Sequence, residues 1–184
     1  MAITKLEQMF DLLKSKPKRR LSVAFANDPH TIEAVYSAVE KGIVDATLTG
    51  DEAFIKQICA EHHMDAGKFE ILNEPNEAKA ATLAVQLINE GKANLLMKGS
   101  LSTDKYMRAI LNKTVGITNE GAVLSHVTVM EFPAYPKLLT IADVAIIPQP
   151  DLKQKIKMID YLVKVSKATG VENPKVAGIA ATEQ

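Results

Sequence analysis

Two cations and a group of hydroxyls surround one predicted strand-to-helix turn in LLMKGSLSTDKYMRAIL, residues 95–111. Gly99 allows another backbone to approach closely, and Ser102 is suited to cap the helix that follows. The free N–H groups at the start of such a helix favour phosphate, and Lys98 adds a full positive charge. Arg108, about a turn and a half further on, can offer a bidentate fork to phosphate. The turn therefore predicts a site for an anionic ligand.

The same pattern also permits an interpretation without a ligand. In that interpretation Ser102 is only a helix cap and Arg108 only a solvated helix residue. Two common phosphate motifs are absent, because no G-x-G-x-x-G follows the first predicted strand and no G-x-x-x-x-G-K-[ST] occurs in the sequence. An ordinary dinucleotide or P-loop site is therefore not supported, and both interpretations of the turn stay open.

The elements that must position this turn alternate between strand and helix periods. This alternation predicts an α/β fold with a mostly parallel sheet and helices on both faces. Ligands in such sheets bind outside the carboxyl ends of the strands, and KGSLST (98–103) is the most cationic of those ends. We expect a first helix within 3–13, strands at 21–26, 44–50, 69–73 and 93–99, and helices at 27–42, 51–63 and 76–91. Asn27 or Asp28 is expected to cap the second helix.

The pattern changes beyond residue 112. AVLSHVTVMEF (122–132) and KLLTIADVAII (137–147) are strand-like runs separated only by a short connection, which predicts antiparallel pairing. An amphipathic helix is expected over 151–170, capped by Asp151, and a last strand over 175–184. Its apolar side is predicted to carry Ile156, Ile159, Leu162, Val163 and Ser166. We place a domain boundary in the turn-rich stretch near residue 120, giving an amino-terminal domain (1–120) and the start of a second α/β domain (121–184).

Composition narrows the class of protein. The 184 residues are 47% hydrophobic, ample for a buried core, and carry 22 basic and 22 acidic side chains. A net charge near zero gives no global reason to bind nucleic acid or an anionic membrane. The single cysteine fits a reducing compartment, and neither a signal peptide nor a bilayer-spanning run is evident. We therefore expect a soluble cytoplasmic protein.

Other residues with chemical potential have simpler interpretations. Cys59, His62 and His63 share one predicted helix, but a metal would need a further ligand, so we expect no metal. His126 alternates with apolar neighbours and is expected in the core or at the edge of a cleft. KSKPKRR (14–20) lacks interleaved aromatic residues and is expected to be a solvated turn rather than a nucleic-acid patch.

Three segments in this order carry a resemblance that spans essentially the whole chain: LLMKGSLSTDKYMRAILN, LSHVTVMEFP and LTIADVAIIPQPDLKQK. They resemble the phosphate acetyl/butyryl transferase family. The resemblance implies transfer of a short-chain acyl group between coenzyme A and inorganic phosphate. It also implies a two-domain α/β architecture similar to that of the isocitrate dehydrogenases, with the active site in the cleft between domains. Relatives continue well past residue 184, so the second domain is expected to be incomplete here.

The resemblance also implies roles for individual residues. The arginine matching Arg108 lies in the family's cleft, and we expect it to bind phosphate and stabilise the oxyanion, with Lys98 as electrostatic support. Coenzyme A thioester and phosphate are the expected substrates, with no tightly bound cofactor and no metal. We also expect a homo-oligomer. The other expected substrate contacts are Gly99, Ser100, Ser102, Thr103, Ser125 and His126.

Two other functions remain compatible with the residues. A coenzyme A or nucleotide binding module without catalysis would keep the anion turn. A relative of the isocitrate-type dehydrogenases would share the fold but would need a cluster of metal-binding aspartates, which the sequence does not display. The length of the acyl chain is not encoded in a recognisable motif.

Overall fold

The computed structural model describes residues 2–119 and 121–179. Leu13–Glu120 form one compact unit, which we call the sheet unit, and Met1–Leu12 with Gly121–Gln184 form a second, the hairpin unit. The helices and strands, in chain order, are α1 (Gln8–Lys14), β1 (Arg19–Ala24), α2 (Pro29–Glu40), β2 (Val44–Gly50), α3 (Glu52–Glu61), β3 (Phe69–Asn73), α4 (Glu77–Asn89), β4 (Leu95–Lys98), α5 (Thr103–Ile110), β5 (Thr128–Met130), β6 (Leu139–Ile141) and α6 (Leu152–Ala168).

A parallel sheet of four strands, in the order β3-β2-β1-β4, forms the centre of the sheet unit. β1 pairs with β2 on one side and β4 on the other, so that Val23 lies opposite both Leu48 and Met97. Because all the strands are parallel, their carboxyl ends meet at one edge of the sheet. The predicted α/β fold with a parallel sheet is confirmed.

Helices cover both faces of this sheet. Val23 and Ala24 are fully buried neighbours whose side chains leave β1 on opposite faces. Val23 belongs to a core cluster with Ile32 of α2 and Ile55 of α3, whereas Ala24 clusters with residues of α4 and α5 such as Ala84. The small alanines of α4 let it lie close to the sheet, where the Ser22 hydroxyl donates to the carbonyl of Ala84 at 3.0 Å.

Up to residue 111 the predicted boundaries hold to within two residues, except at the start of α1, and β1 is shifted as a whole. β2 and β3 match the predicted strands residue for residue, and Asp28 and Ser102 are helix caps as expected. β1 runs from 19 to 24 instead of 21 to 26, because Phe25 adopts a left-handed backbone with φ 59° that ends the strand. α1 begins at Gln8 instead of near residue 3, because the Gln8 side chain accepts the N–H groups of Thr4 and Lys5.

The hairpin unit takes its name from the antiparallel pair β5 and β6, in which Thr128 lies opposite Ile141. The antiparallel pairing is confirmed, but each strand has three residues, far fewer than the two predicted runs. α6 is tied to this pair by the Tyr161 hydroxyl, which donates to the Val123 carbonyl at 2.8 Å, and by Ser166 and Thr140, whose hydroxyls lie 3.2 Å apart.

Two other expectations for the hairpin unit are wrong in part. Asp151 caps α6 as predicted, but the buried residue of the helix is Met158, while Ile156 and Ile159 are exposed. Leu162, Val163 and Ser166 are half-buried, as are Tyr161 and Val165, so the predicted side of the helix is right for three of its five residues. The strand expected at 175–184 is absent from 175–179, which join neither sheet, and its remainder lies outside the described residues. No helix within residues 2–119 and 121–179 is long and apolar enough to cross a membrane.

Candidate anion-binding site

Backbone hydrogen bonds join the turn that follows β4 to the turn that follows β1. The N–H of Gly99 donates to the Ala24 carbonyl at 2.9 Å, and the N–H of Ser100 donates to the Phe25 carbonyl at 2.9 Å. The Ser100 hydroxyl reaches the same Phe25 carbonyl at 3.2 Å. The left-handed conformation of Phe25 thus presents a carbonyl to the neighbouring turn, and the start of the KGSLST segment is fixed to the central strand.

Gly99 is required at this junction because the two backbones approach closely. A Cβ atom built on Gly99 would lie 2.2 Å from the Phe25 carbonyl oxygen and 2.8 Å from that of Ala24. Both contacts are with backbone atoms, so a rotamer change cannot relieve them. The expectation that Gly99 allows close backbone approach is confirmed, and its role as a substrate contact stays a prediction.

The first turn of α5 supplies donors next to this junction. Ser102 is the N-cap, and its hydroxyl accepts the N–H of Lys105 at 3.3 Å. The N–H groups of Thr103 and Asp104, as in any first helical turn, have no backbone partner within the helix. The side chains of Ser100, Ser102 and Thr103 are all exposed. The turn therefore presents hydroxyls and amide donors to solvent on one side of the sheet edge.

Lys98 is the cation of this turn that remains available. Its ammonium is exposed and comes no nearer than 3.5 Å to the Gly99 carbonyl, a weak contact. Lys105, the other lysine of the segment, is engaged in an ion pair with Glu77 of α4. Of the two lysines, Lys98 is therefore the one that can approach an anion without breaking an ion pair.

Arg108 lies at the other end of α5 and is paired within the helix. Its Nε lies 2.8 Å from Oδ2 of Asp104, one turn earlier, and the side chains are 79% and 68% exposed. The separation of Arg108 from Thr103 is about 7.5 Å along the helix axis. The two Nη groups have no hydrogen-bond partner in residues 2–119 and 121–179 and remain available to a ligand. The assignment of Arg108 to phosphate stays a prediction.

The remaining strand ends of the sheet use their polar groups internally. Asn27 accepts the N–H of Asp51 at 3.0 Å, and Asn73 accepts the N–H of Glu52 at 3.1 Å. Asp28 caps α2 in the same manner. These ends carry carboxylates and satisfied amides, whereas the end of β4 carries Lys98. The cationic end of the sheet is therefore the one that the sequence predicts.

Ser125 and His126 lie in the hairpin unit, where both bind the carboxylate of Asp143. The Ser125 hydroxyl and the His126 backbone N–H each donate to Oδ2 of Asp143 at 2.9 Å. The N–H groups of Ala145 and Ile146 each donate to Oδ1 at 2.7 Å. We call this arrangement the Asp143 clamp. Sequence reasoning missed Asp143, although a single carboxylate inside the apolar run LTIADVAII is a signal that could have singled it out.

The clamp changes the acidity of Asp143. Burial by itself would raise the pKa of this carboxyl, but the hydrogen bonds from Ile146, Ala145, His126 and Ser125 outweigh that effect. The pKa of Asp143 is therefore held well below its ordinary value. The carboxylate stays ionised at neutral pH and fixes the chain on either side of the short β5–β6 pair.

Cys59, His62 and His63, the possible metal ligands in and after α3, do not form a cluster. The helix ends at Glu61, so His62 is its C-cap and His63 has a left-handed backbone with φ 54°. Cys59 is buried in the core, which raises the pKa of its thiol, and His62 pairs with Glu33. The predicted helix over 51–63 therefore ends two residues early. No group of three potential metal ligands occurs among residues 2–119 and 121–179.

Comparison with known proteins points to one family. The family described as "Phosphate acetyl/butaryl transferase" matches residues 64–184. Phosphate butyryltransferase of Clostridium acetobutylicum is 46% identical over 93% of this chain and 56% of its own length. Phosphate acetyltransferase of Thermotoga maritima is 36% identical over 97% of this chain and 60% of its own length. The chain thus spans less than two thirds of the length of these relatives.

A solved structure shares the fold. A phosphotransacetylase from Streptococcus pyogenes superposes with a TM-score of 0.76, covering 91% of this chain and 60% of the other, at 15% sequence identity. At this identity the likeness concerns the fold alone. It agrees with the α/β arrangement of a parallel sheet and flanking helices described above.

Proposed function

Because the chain belongs to the phosphate acetyl/butyryl transferase family, we propose that it transfers a short-chain acyl group between coenzyme A and inorganic phosphate. The observation that carries the site assignment is the turn after β4, where Lys98, exposed hydroxyls and helix N–H groups adjoin the backbone junction of Gly99 and Phe25. These are the groups that an anionic substrate requires.

The proposed reaction requires the two substrates to be positioned against each other and does not require a nucleophile from the protein. An oxygen of phosphate attacks the thioester carbonyl carbon and forms a C–O bond, which places negative charge on the carbonyl oxygen. Collapse of this intermediate breaks the C–S bond and releases the coenzyme A thiolate, which takes a proton from the medium. The products are an acyl phosphate and free coenzyme A. Two anions, the phosphate and the coenzyme A diphosphate, must be held close together, so fixed cations are essential.

The residues of the turn and of α5 divide this work. The N–H groups of Thr103 and Asp104 and the Thr103 hydroxyl orient the phosphate, with Ser102 holding the helix start and Lys98 supplying charge. Ser100, whose N–H and hydroxyl both donate to the Phe25 carbonyl, holds the turn in place. Arg108 binds phosphate through its free Nη groups and stabilises the oxyanion, while Nε stays on Asp104. Because Asp104 occupies only Nε, the two Nη groups remain as a planar pair of donors for the tetrahedral phosphate.

Three broader features belong to the same proposal. The sequence resemblance supports a two-domain architecture similar to that of the isocitrate dehydrogenases. It also supports assembly as a homo-oligomer, with coenzyme A thioester and phosphate as the small-molecule substrates and no tightly bound cofactor. A cytoplasmic location is part of the proposal because a single cysteine fits a reducing compartment.

Thiol release measured with acetyl-, propionyl- and butyryl-coenzyme A tests the proposal. The 184-residue chain should release thiol only when phosphate is present, and the acyl chain that gives the highest kcat/KM identifies the substrate. Binding of acyl-coenzyme A without phosphate-dependent release would contradict the proposal and favour a binding module without catalysis. Reduction of NAD with isocitrate, in place of thiol release, would favour a dehydrogenase.

A further inference from the structure

We propose that Asp143 is a positioning residue that orients His126, so that the imidazole of His126, and not the hydroxyl of Ser125, is the group of this segment that meets substrate. The inference rests on the proposed function for the nature of the substrate. Its structural part rests only on the Asp143 clamp, whose four donors surround one carboxylate.

The clamp commits the Ser125 proton. A hydroxyl has one O–H to donate, and in Ser125 that O–H points to Oδ2 of Asp143 at 2.9 Å. Phosphate and the coenzyme A diphosphate present acceptor oxygens, so Ser125 cannot donate to them while this bond persists. Ser125 therefore serves the clamp rather than the substrate.

His126 is held in the opposite way, with its backbone fixed and its ring available. The backbone N–H donates to Asp143, and ring Nδ1 lies 3.1 Å from the Thr128 hydroxyl. The side chain is exposed. When the Thr128 hydroxyl donates to Nδ1, the neutral ring carries its proton on Nε2. Nε2–H is then a donor suited to an acceptor oxygen of the substrate, either a phosphate oxygen or the thioester carbonyl.

The carboxylate of Asp143 cannot be replaced by an amide without loss. One carboxylate oxygen accepts from Ser125 and His126 and the other from Ala145 and Ile146. In Asp143→Asn one of these oxygens becomes an NH₂ group, so one pair of donors faces another donor whichever way the amide is turned. The substitution removes about half of the clamp while keeping the shape of the side chain.

Nuclear magnetic resonance on the isotope-labelled chain tests the positioning directly. In the wild type the His126 ring should show a single tautomer protonated on Nε2, and Asp143→Asn and Ser125→Ala should each mix the tautomers and shift the His126 amide. Ser125→Thr keeps the hydroxyl donor, so the His126 ring and amide in this variant should give the same signals as in the wild type. Asp160→Asn, which removes an exposed carboxylate of α6, is the matched control. An unchanged His126 ring in Asp143→Asn would overturn the proposal.

Kinetics test whether the positioning reaches the substrate. We expect Asp143→Asn, Ser125→Ala and His126→Ala each to lower kcat/KM by about ten- to a hundredfold, and Ser125→Thr and Asp160→Asn by less than about threefold. Adding Asp143→Asn to His126→Ala should cause no further loss, because both act through one ring. Additive losses would overturn the proposal. A wild-type chain without thiol release would count against the proposed function alone, because the tautomer measurement decides the positioning independently.

Discussion

The α carbon of Gly99 lies so close to the backbone of Phe25 that a methyl group on it would come within 2.2 Å of the Phe25 carbonyl oxygen. This contact joins the ends of β4 and β1, and both N–H groups that follow β4 donate across it. The candidate anion site is therefore built on a junction of two backbones. This junction fixes the backbone that carries the side chains of the site.

Substitution of Gly99 by alanine should destabilise the sheet unit. The added methyl group meets two carbonyl oxygens at 2.2 and 2.8 Å, so the turn must move away from β1. We expect a loss of about 1–3 kcal/mol in the free energy of unfolding. Urea denaturation followed by circular dichroism measures it.

Gly178→Ala is the control, because nothing lies within 4 Å of a Cβ atom at Gly178. Its effect should stay within about 0.5 kcal/mol. Equal stability for the two variants would show that the junction of Gly99 and Phe25 does not constrain the turn.

Removal of the negative charge of Asp104 should tighten phosphate binding. Oδ2 of Asp104 lies 2.8 Å from Nε of Arg108, so its negative charge repels an anion that approaches the Nη groups. Asp104→Asn should lower the KM for phosphate about threefold, as expected for loss of one surface charge repulsion. The free energy of unfolding should change by less than about 0.5 kcal/mol, because an exposed (i, i+4) pair adds little.

Asp45→Asn provides the comparison for Asp104, since Asp45 is an exposed carboxylate near the start of β2 that faces Lys18 at 4.0 Å. Its KM for phosphate should match the wild type. A raised KM in Asp104→Asn would contradict this expectation and would mean that the carboxylate helps phosphate binding, by orienting Arg108, more than its charge opposes it.

Local chemistry explains why much of the sheet unit could be predicted from the sequence. Strands 44–50 and 69–73 are short segments rich in strand-forming residues and bounded by turn residues, and Asp28 and Ser102 cap helices through contacts three residues away. Even the pair of Asp104 and Arg108 follows from a spacing of four in a helix, although it was not predicted.

Contacts between distant residues explain what the sequence could not show. The left-handed Phe25 that ends β1 depends on hydrogen bonds to the turn around Gly99 and Ser100. Ser100 follows Phe25 by 75 residues in the sequence. Asp143 binds donors 17 and 18 residues earlier in the chain. The segment of the expected last strand pairs with no other strand among the described residues. The sequence pattern of a single segment does not show whether a pairing partner exists.

Asp143 should make the hairpin unit sensitive to acid. Its folded-state pKa lies below the ordinary value of about 3.9, so the ionised carboxylate contributes stability above that pH and loses it as the pH falls toward the folded-state pKa. The difference in melting temperature between wild type and Asp143→Asn should therefore be largest near neutral pH and shrink below about pH 4. Thermal denaturation from pH 2 to 7 measures it.

Thermal denaturation of Asp160→Asn over the same pH range is the control. It shows how much the loss of any exposed carboxylate changes the melting temperature without loss of the Asp143 clamp. Asp160 makes one 3.4 Å contact with Lys157, and its replacement should change the melting temperature little across the series. A difference between wild type and Asp143→Asn that does not vary with pH would show that the clamp does not depend on the ionised carboxylate.

Phosphate-dependent thiol release by variants of Arg108 is the most direct test of the proposed function. Arg108→Ala should lower kcat/KM by about a hundredfold or more, because the contact strengthens as charge concentrates on the oxyanion. Arg108→Lys should recover only part of that loss, since a point charge cannot reproduce the planar pair of donors. Lys92→Ala, which removes another exposed cation between α4 and β4, should stay within about twofold of the wild type. Wild-type kinetics in Arg108→Ala would contradict the proposed role of Arg108 in phosphate binding and leave it as a solvated residue paired with Asp104.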